Sequence, residues 1–112
     1  MEMNSVQTGS VRVLQLNGRF DAYETPKVTT WLDGNLKPDA ARIVVNLKGV
    51  NFVDSTALST LVQAMKRARQ HQGDCRLCEV QQPVRIILEL TRLDKAFEIY
   101  SDEAAAARSF AN

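Results

Sequence analysis

Histidine occurs once in this sequence, as His71, and cysteine only as Cys75 and Cys78. A lone Cys-x-x-C is weak ground for metal or redox chemistry here. The segment from Cys75 to Val80 has the make-up of a strand, with Gly73-Asp74 before it and Pro83 after it. Residues three apart in a strand point to opposite faces, so these thiols neither share a metal nor close an unstrained disulfide. Redox pairs of this spacing sit instead at helix N-termini, where the dipole lowers the thiol pKa. The two cysteines are therefore expected to be structural, in a reducing compartment, with one facing inward. A Gly-rich phosphate loop is also missing, because Leu47-Lys48-Gly49-Val50 offers one glycine before more extended chain. No apolar run approaches the roughly 18 residues that suggest a membrane span. Met1 to Ser10 lack the apolar core of a signal peptide, so the expected location is the cytoplasm and no membrane insertion is expected. The formal net charge is +1, which points to neither a polyanion nor a membrane surface as partner. Lys66, Arg67 and Arg69 are too few, and too free of interleaved aromatics, to argue for nucleic acid. There is no internal repeat, low-complexity tract or linker.

What remains is ordinary folding material. The 112 residues suit one domain, 1–112 with a core of about 10–110. Hydrophobic residues at 45% and charged residues at 24% are typical of a folded protein rather than a disordered regulator. Val11 to Leu16 reads as a strand stopping at Asn17-Gly18. Met3 to Gln7 reads as a further strand, paired with it through a turn at Thr8-Gly9-Ser10. Thr25-Pro26 combines a good N-cap with a proline suited to a first helical turn. Val28, Trp31, Leu32 and Leu36 follow with helical spacing, and the helix ends before Pro38. Ile43 to Leu47 is apolar without alternation, as in a strand buried on both faces. Leu58, Leu61, Val62 and Met65 make one apolar helical stripe, with Ser59, Gln63 and Arg67 opposite. That helix should end near Gln72-Gly73, with Gly73 at the C′ position. A strand over Arg76 to Val80, a helix over Pro83 to Leu90 and a short strand over Phe97 to Tyr100 follow. Ser101 then caps a last helix containing Asp102, Glu103 and Arg108. The expected fold is a small α/β domain: a mixed, mostly parallel sheet with about four helices, an antiparallel N-terminal edge strand and one less covered face.

In open α/β sheets, sites form where strand ends lead into helices. Two such loops stand out: Gly18-Arg19-Phe20-Asp21, and Asp54-Ser55-Thr56 before the strongest helix. Ser55 or Thr56 should occupy the N-cap or first turn, beside unpaired N–H groups and the positive dipole end. A phosphate is tolerated at such a place; an ordinary helix cap fits the same residues. A nucleophilic Ser55 needs a nearby base. His71 lies 16 positions later on the same helix, roughly 24 Å away at 1.5 Å per residue. Lys48 sits in a charged loop, and Asp54 would need a raised pKa to take a proton from serine. A Ser-His enzyme is thereby excluded for a monomer, and no enzyme is expected. A metal site would need Asp21 and Asp54 to converge, and a solvated acidic rim explains both. Neither metal nor cofactor is expected.

The run Ile43-Val44-Val45-Asn46-Leu47 through Val50, Phe52, Asp54-Ser55-Thr56 and Leu58 resembles the signature of the STAS domain, most closely bacterial anti-sigma factor antagonists. Leu16-Asn17-Gly18-Arg19-Phe20-Asp21 with Pro26 upstream, and Gly73, Pro83-Val84 and Leu90 to Phe97 downstream, agree with it. This resemblance implies partner switching. The unphosphorylated domain binds an anti-sigma factor that is also a GHKL-type serine kinase. Phosphorylation of the serine after the aspartate, here Ser55, releases it, and a PP2C-type phosphatase restores binding. Asp21 and Asp54 match acidic positions flanking the phosphoacceptor; with Glu24, Thr56, Ala57 and Ser59 they form the expected partner surface. Ala57 stands where the family usually has glycine, and is expected to stiffen the helix start and to add a methyl beside the docking surface. Glu24 replaces a small hydroxyl residue and is expected to add negative charge near Ser55. The new phosphate, about −1.5 to −2 charges, is expected to be repelled by Asp21 and Asp54. The competing expectation is a non-switching scaffold or transporter accessory subunit in which Ser55 is only a helix cap.

Overall fold

The structure is a computed structural model that describes residues 1–110. Ala111 and Asn112, counted in the expected domain, lie outside the described residues. Strand β1 (Glu2–Thr8) runs antiparallel to β2 (Val11–Asn17), and Gly9 at φ +60° makes the turn between them. Helix α1 (Thr25–Asn35), strand β3 (Arg42–Gly49), helix α2 (Ser55–Gln70), strand β4 (Asp74–Cys78) and helix α3 (Gln82–Leu90) follow. A 3-10 turn, Leu93–Lys95, leads to β5 (Ile99–Tyr100) and α4 (Glu103–Arg108). The strands stand in the order β1-β2-β3-β4-β5, with β2 through β5 parallel. The mixed, mostly parallel sheet and its N-terminal antiparallel edge are as expected.

Alternation along the central strands sorts the core into two layers. Leu14, Leu16, Ile43, Val45, Leu47, Cys75 and Leu77 face α1, α2 and α3, meeting Val28, Leu32, Leu61, Met65, Val84 and Leu88. Val11, Val13, Val44 and Cys78 face the other way, against Ala106 of α4 and Phe110. The second layer is much the smaller, because one short helix covers it. Both layers are nevertheless dry, which corrects the expectation for the cysteines. Cys75 and Cys78 do point to opposite faces, yet both are fully buried rather than one alone. Burial, with smaller contributions from nearby carboxylates, pushes each thiol up to about 12.

Several element ends differ from the sequence pattern. β4 stops at Cys78 rather than Val80, because Glu79 takes a left-handed conformation at φ 53° that breaks the pleat. β5 is only Ile99–Tyr100; Phe97 instead plugs the larger layer, 5% exposed. Asp102, not Ser101, caps α4 by accepting from Ala105 N at 2.7 Å. Thr25 is the first residue of α1 rather than its cap, and its hydroxyl donates to Ala22 O at 3.2 Å. At the end of α2 the left-handed C′ residue is Gln72, at φ 62°. Gly73 comes one later and closes the Schellman pattern by donating to Ala68 O at 2.8 Å, while Gln72 N donates to Arg69 O at 3.2 Å. Glycine is needed at 73 for a different reason: a Cβ there would fall 1.9 Å from Ala41 O.

Asp74 fastens this corner. It is 6% exposed and accepts from Arg69 Nε at 2.9 Å and Arg76 Nε at 3.1 Å, so its charge is buried with partners. Among the described residues no helix is long and apolar enough to cross a membrane.

Candidate functional site

The loops after β2 and β3 leave the sheet side by side and stay joined beyond it. Phe20 pairs with Val53 in a parallel bridge; Phe20 N donates to Phe52 O at 3.1 Å and Asp54 N to Phe20 O at 3.4 Å. Phe20 itself is fully buried, so hydrophobic burial of one side chain pins the loop that carries Asp21.

Asp54 is the junction. Its backbone is extended, at φ −106° and ψ −179°, and it caps α2. One carboxylate oxygen accepts from Ala57 N at 2.8 Å, the other from Ala22 N at 2.9 Å in the neighbouring loop. A single carboxylate thus satisfies an orphan donor at the helix start and a donor of the β2–α1 loop. Asp21 turns that loop into α1: its backbone oxygen accepts from Glu24 N at 2.9 Å and Thr25 N at 3.0 Å, and its side chain from Tyr23 N at 3.1 Å. Arg19 Nε lies 3.6 Å from the second Asp21 oxygen, and the Arg19 guanidinium stacks 3.7 Å above the Phe52 ring.

Ser55 and Thr56 both fall in the first turn of α2, with Asp54 as cap, and both are exposed. Among the described residues the Ser55 hydroxyl takes no intramolecular hydrogen bond. His71 caps the opposite end of the helix. Both Asp54 oxygens accept from backbone N–H groups, and among the described residues no histidine lies near Ser55. Among the described residues no three His, Cys, Asp or Glu side chains converge to hold a metal ion.

The structure revises two members of the expected partner surface. Ala57 is fully buried in the larger core layer, so its methyl packs inward, under the helix start, and not beside a docking surface. Glu24 brings no uncompensated charge. Its carboxylate lies 2.8 Å from Lys27 Nζ and 3.1 Å from the Met1 ammonium, and these partners, Lys27 first, lower its pKa. Thr56 and Ser59 share one face of α2 and line a groove of about 230 Å³ against Thr29 and Leu32 of α1. An Arg67–Asp33 ion pair at 2.9 Å also links α1 and α2.

One prominent residue escaped the sequence pattern. Tyr23 is 91% exposed in the same loop as Asp21. A single aromatic in a polar loop gives no periodic signal, and only its exposure on a fixed backbone sets it apart.

Comparison with known proteins agrees with this fold. The STAS domain family matches residues 2–106. An anti-sigma F factor antagonist from Paenibacillus polymyxa is 29% identical over 97 residues, covering 86% of this chain and 83% of the relative. The solved structure of an anti-sigma-factor antagonist (STAS) domain protein from Planctomyces limnophilus superposes with a TM-score of 0.87 at 24% identity, covering 98% of each chain. That of the Bacillus cell fate determinant SpoIIAA in its phosphorylated form gives 0.76 at 17% identity, covering 96% of this chain and 99% of that one. The last two likenesses are of fold.

Proposed function

The chain belongs to the STAS domain family, and from that premise we propose that it is a cytoplasmic, non-enzymatic anti-sigma factor antagonist that works by partner switching. In its unphosphorylated form it binds an anti-sigma factor that is also a GHKL-type serine kinase. That kinase phosphorylates Ser55 and the complex separates; a PP2C-type phosphatase resets it. No nucleic acid is bound directly.

The observation that carries this reading is the setting of Ser55. Its hydroxyl is exposed and uncommitted, in the first turn of α2, directly after a cap that already secures the helix. A phosphate there meets the positive end of the helix dipole, so the domain can carry it without unfolding. Inside a protein interface the same group, at about −1.5 to −2 charges, must lose its water. Desolvation without compensating partners removes binding energy. About 3 kcal/mol lost in this way weakens affinity more than a hundredfold.

Incubation with a cognate GHKL-type serine kinase and ATP should add one phosphate, located at Ser55 by mass spectrometry. Modification of Thr56 with an unmodified Ser55 would overturn the residue assignment. Ser55→Ala should keep kinase binding and Ser55→Asp should weaken it by about tenfold or more. Equal binding by the two variants contradicts the charge mechanism and favours a non-switching scaffold.

A further inference from the structure

Large apolar side chains are rare on this surface: Tyr23 is 91% exposed, Leu90 79% and Ile86 45%. Leu90 and Ile86 lie together on α3, with nothing to say what covers them. Tyr23 is different, because its position is tied to Ser55 through named hydrogen bonds. Ala22 N donates to the Asp54 carboxylate at 2.9 Å, and Asp54 immediately precedes Ser55. Tyr23 N donates to Asp21 at 3.1 Å, Glu24 N and Thr25 N donate to Asp21 O, and the Thr25 hydroxyl donates to Ala22 O at 3.2 Å. Every residue from Ala22 to Thr25 thus has its backbone N–H in a hydrogen bond, while the ring projects into water.

Folding gains nothing from that ring. An aromatic held in solvent on a fixed backbone loses little conformational freedom when a partner covers it, since only two side-chain torsions need ordering. Tyrosine is also among the residues that most often dominate interface energetics. We propose that Tyr23 is the anchor by which the protein partner recognises this site. The partner would offer an apolar slot deep enough for a phenol ring, with a hydrogen-bond acceptor for its hydroxyl at the far end. This inference rests on Ser55 as the partner switch and adds a second contact point. The interface runs from the start of α2 across Asp54 onto the β2–α1 loop, so one carboxylate positions both the phosphoacceptor and the anchor. Asp54 is a positioning residue here.

The test is a titration of the full chain against GHKL-type serine kinases of the source organism, purified singly, with Tyr23→Ala, Tyr23→Phe and Leu90→Ala compared to the unaltered chain. Tyr23→Ala should weaken binding by about tenfold or more, as loss of an anchor does. Tyr23→Phe should retain most of the affinity, since ring burial dominates, and Leu90→Ala should bind as the unaltered chain does. The thermal midpoint of Tyr23→Ala should be unchanged, because the ring is not packed; a merely structural tyrosine would lower it. Equal affinity of Tyr23→Ala and the unaltered chain overturns the anchor while leaving the Ser55 switch standing. Failure of the unaltered chain to bind any of the kinases removes the switch, and the anchor falls with it.

Discussion

Removing the Asp54 carboxylate tests the architecture on which the site depends. In Asp54→Ala two backbone donors lose their acceptor: Ala57 N, now at 2.8 Å, and Ala22 N, now at 2.9 Å. Loss of an N-cap side chain costs about 1 kcal/mol, within a range of roughly 0.5 to 2. The second bond is to a charged acceptor but lies near solvent, so about 1 kcal/mol is a fair allowance. Together these come to about 2 kcal/mol. An unfolding entropy near 2.1 cal/mol/K per residue over 112 residues is roughly 235 cal/mol/K, so the midpoint should fall by about 8 °C. Asp54→Ser separates the two contributions. Serine caps as well as aspartate but has no second oxygen for Ala22, so it should lose about 4 °C. Thermal melts followed by circular dichroism read both shifts. Hydrogen exchange should show the Ala22 amide losing protection in both variants and the Ala57 amide only in Asp54→Ala. If Asp54→Ser melts with the unaltered chain, the inter-loop bond contributes nothing and Asp54 is a cap alone. If Asp54→Ala melts within about 2 °C of it, neither contact stabilises the domain by as much as about 1 kcal/mol.

The remaining expectations concern the corner after α2 and the buried thiols. Gly73→Ala would place a Cβ 1.9 Å from the Ala41 carbonyl oxygen, forcing backbone movement at a cost of about 2 kcal/mol or more. Gln72→Gly, by contrast, relieves a left-handed residue at φ 62° and should gain about 0.5 to 1 kcal/mol. Urea denaturation of the two variants should move the midpoint in opposite directions; the reverse order would mean that Gly73, not Gln72, holds the C′ conformation. With Cys75 and Cys78 both pushed up to about 12, a thiol reagent at pH 8 should label the native chain far more slowly than the denatured one. The folded state keeps these protons while the unfolded chain releases them near the ordinary thiol pKa of about 8.5. The thiols' contribution to stability is therefore intact below that pH and is lost as pH rises through 9 toward 12. The stability gap to a Cys75→Ala/Cys78→Ala variant should change in that direction across the window; a constant gap would rule out such burial of the thiols.

Much of the fold was legible because the strongest patterns are also the most buried elements. Ile43 to Leu47 lacks alternation since both faces of β3 are covered. The buried face of α2 runs through Ala57, Leu61, Ala64, Met65 and Ala68, sharing Leu61 and Met65 with the expected stripe and leaving Leu58 and Val62 partly buried at its edge. What escaped depended on contacts distant in sequence. Strand periodicity puts Cys75 and Cys78 on opposite faces, but only α4, more than twenty residues later, makes the second face dry. At helix ends two adjacent residues of suitable chemistry compete, and local propensity does not decide between Ser101 and Asp102, or between Gln72 and Gly73. The Ala41 carbonyl, distant in sequence, explains only why residue 73 has to be glycine. In the site, Asp54, Ser55 and Thr56 were placed at the strand-to-helix junction by pattern alone. That one Asp54 oxygen would reach Ala22, 32 positions earlier in the chain, had no local signal, and neither had Tyr23.

The same long-range contacts change how phosphorylation at Ser55 would act under the partner-switching proposal. Counted along the sequence, Asp21, Glu24 and Asp54 form an acidic surround that should repel a phosphate within the domain. In three dimensions each already has a partner: Asp21 has the Tyr23 N–H and, 3.6 Å away, Arg19; Glu24 has Lys27 and the Met1 ammonium; Asp54 has two backbone N–H groups. These carboxylates are partly buried but already paired, which reduces their effect on a further charge, and the first-turn N–H groups of α2 favour the added anion. Internal repulsion is then a minor part of the switch, and the free domain has no reason to change shape when modified. The energy that separates the complex has to come from the partner side: a dianion beside Asp54 that must be stripped of water if the Tyr23 loop and the start of α2 are covered together. A switch built this way stores nothing in the fold. It would work only on the bound state, so that one phosphate would turn the proposed regulator off and its removal restore it.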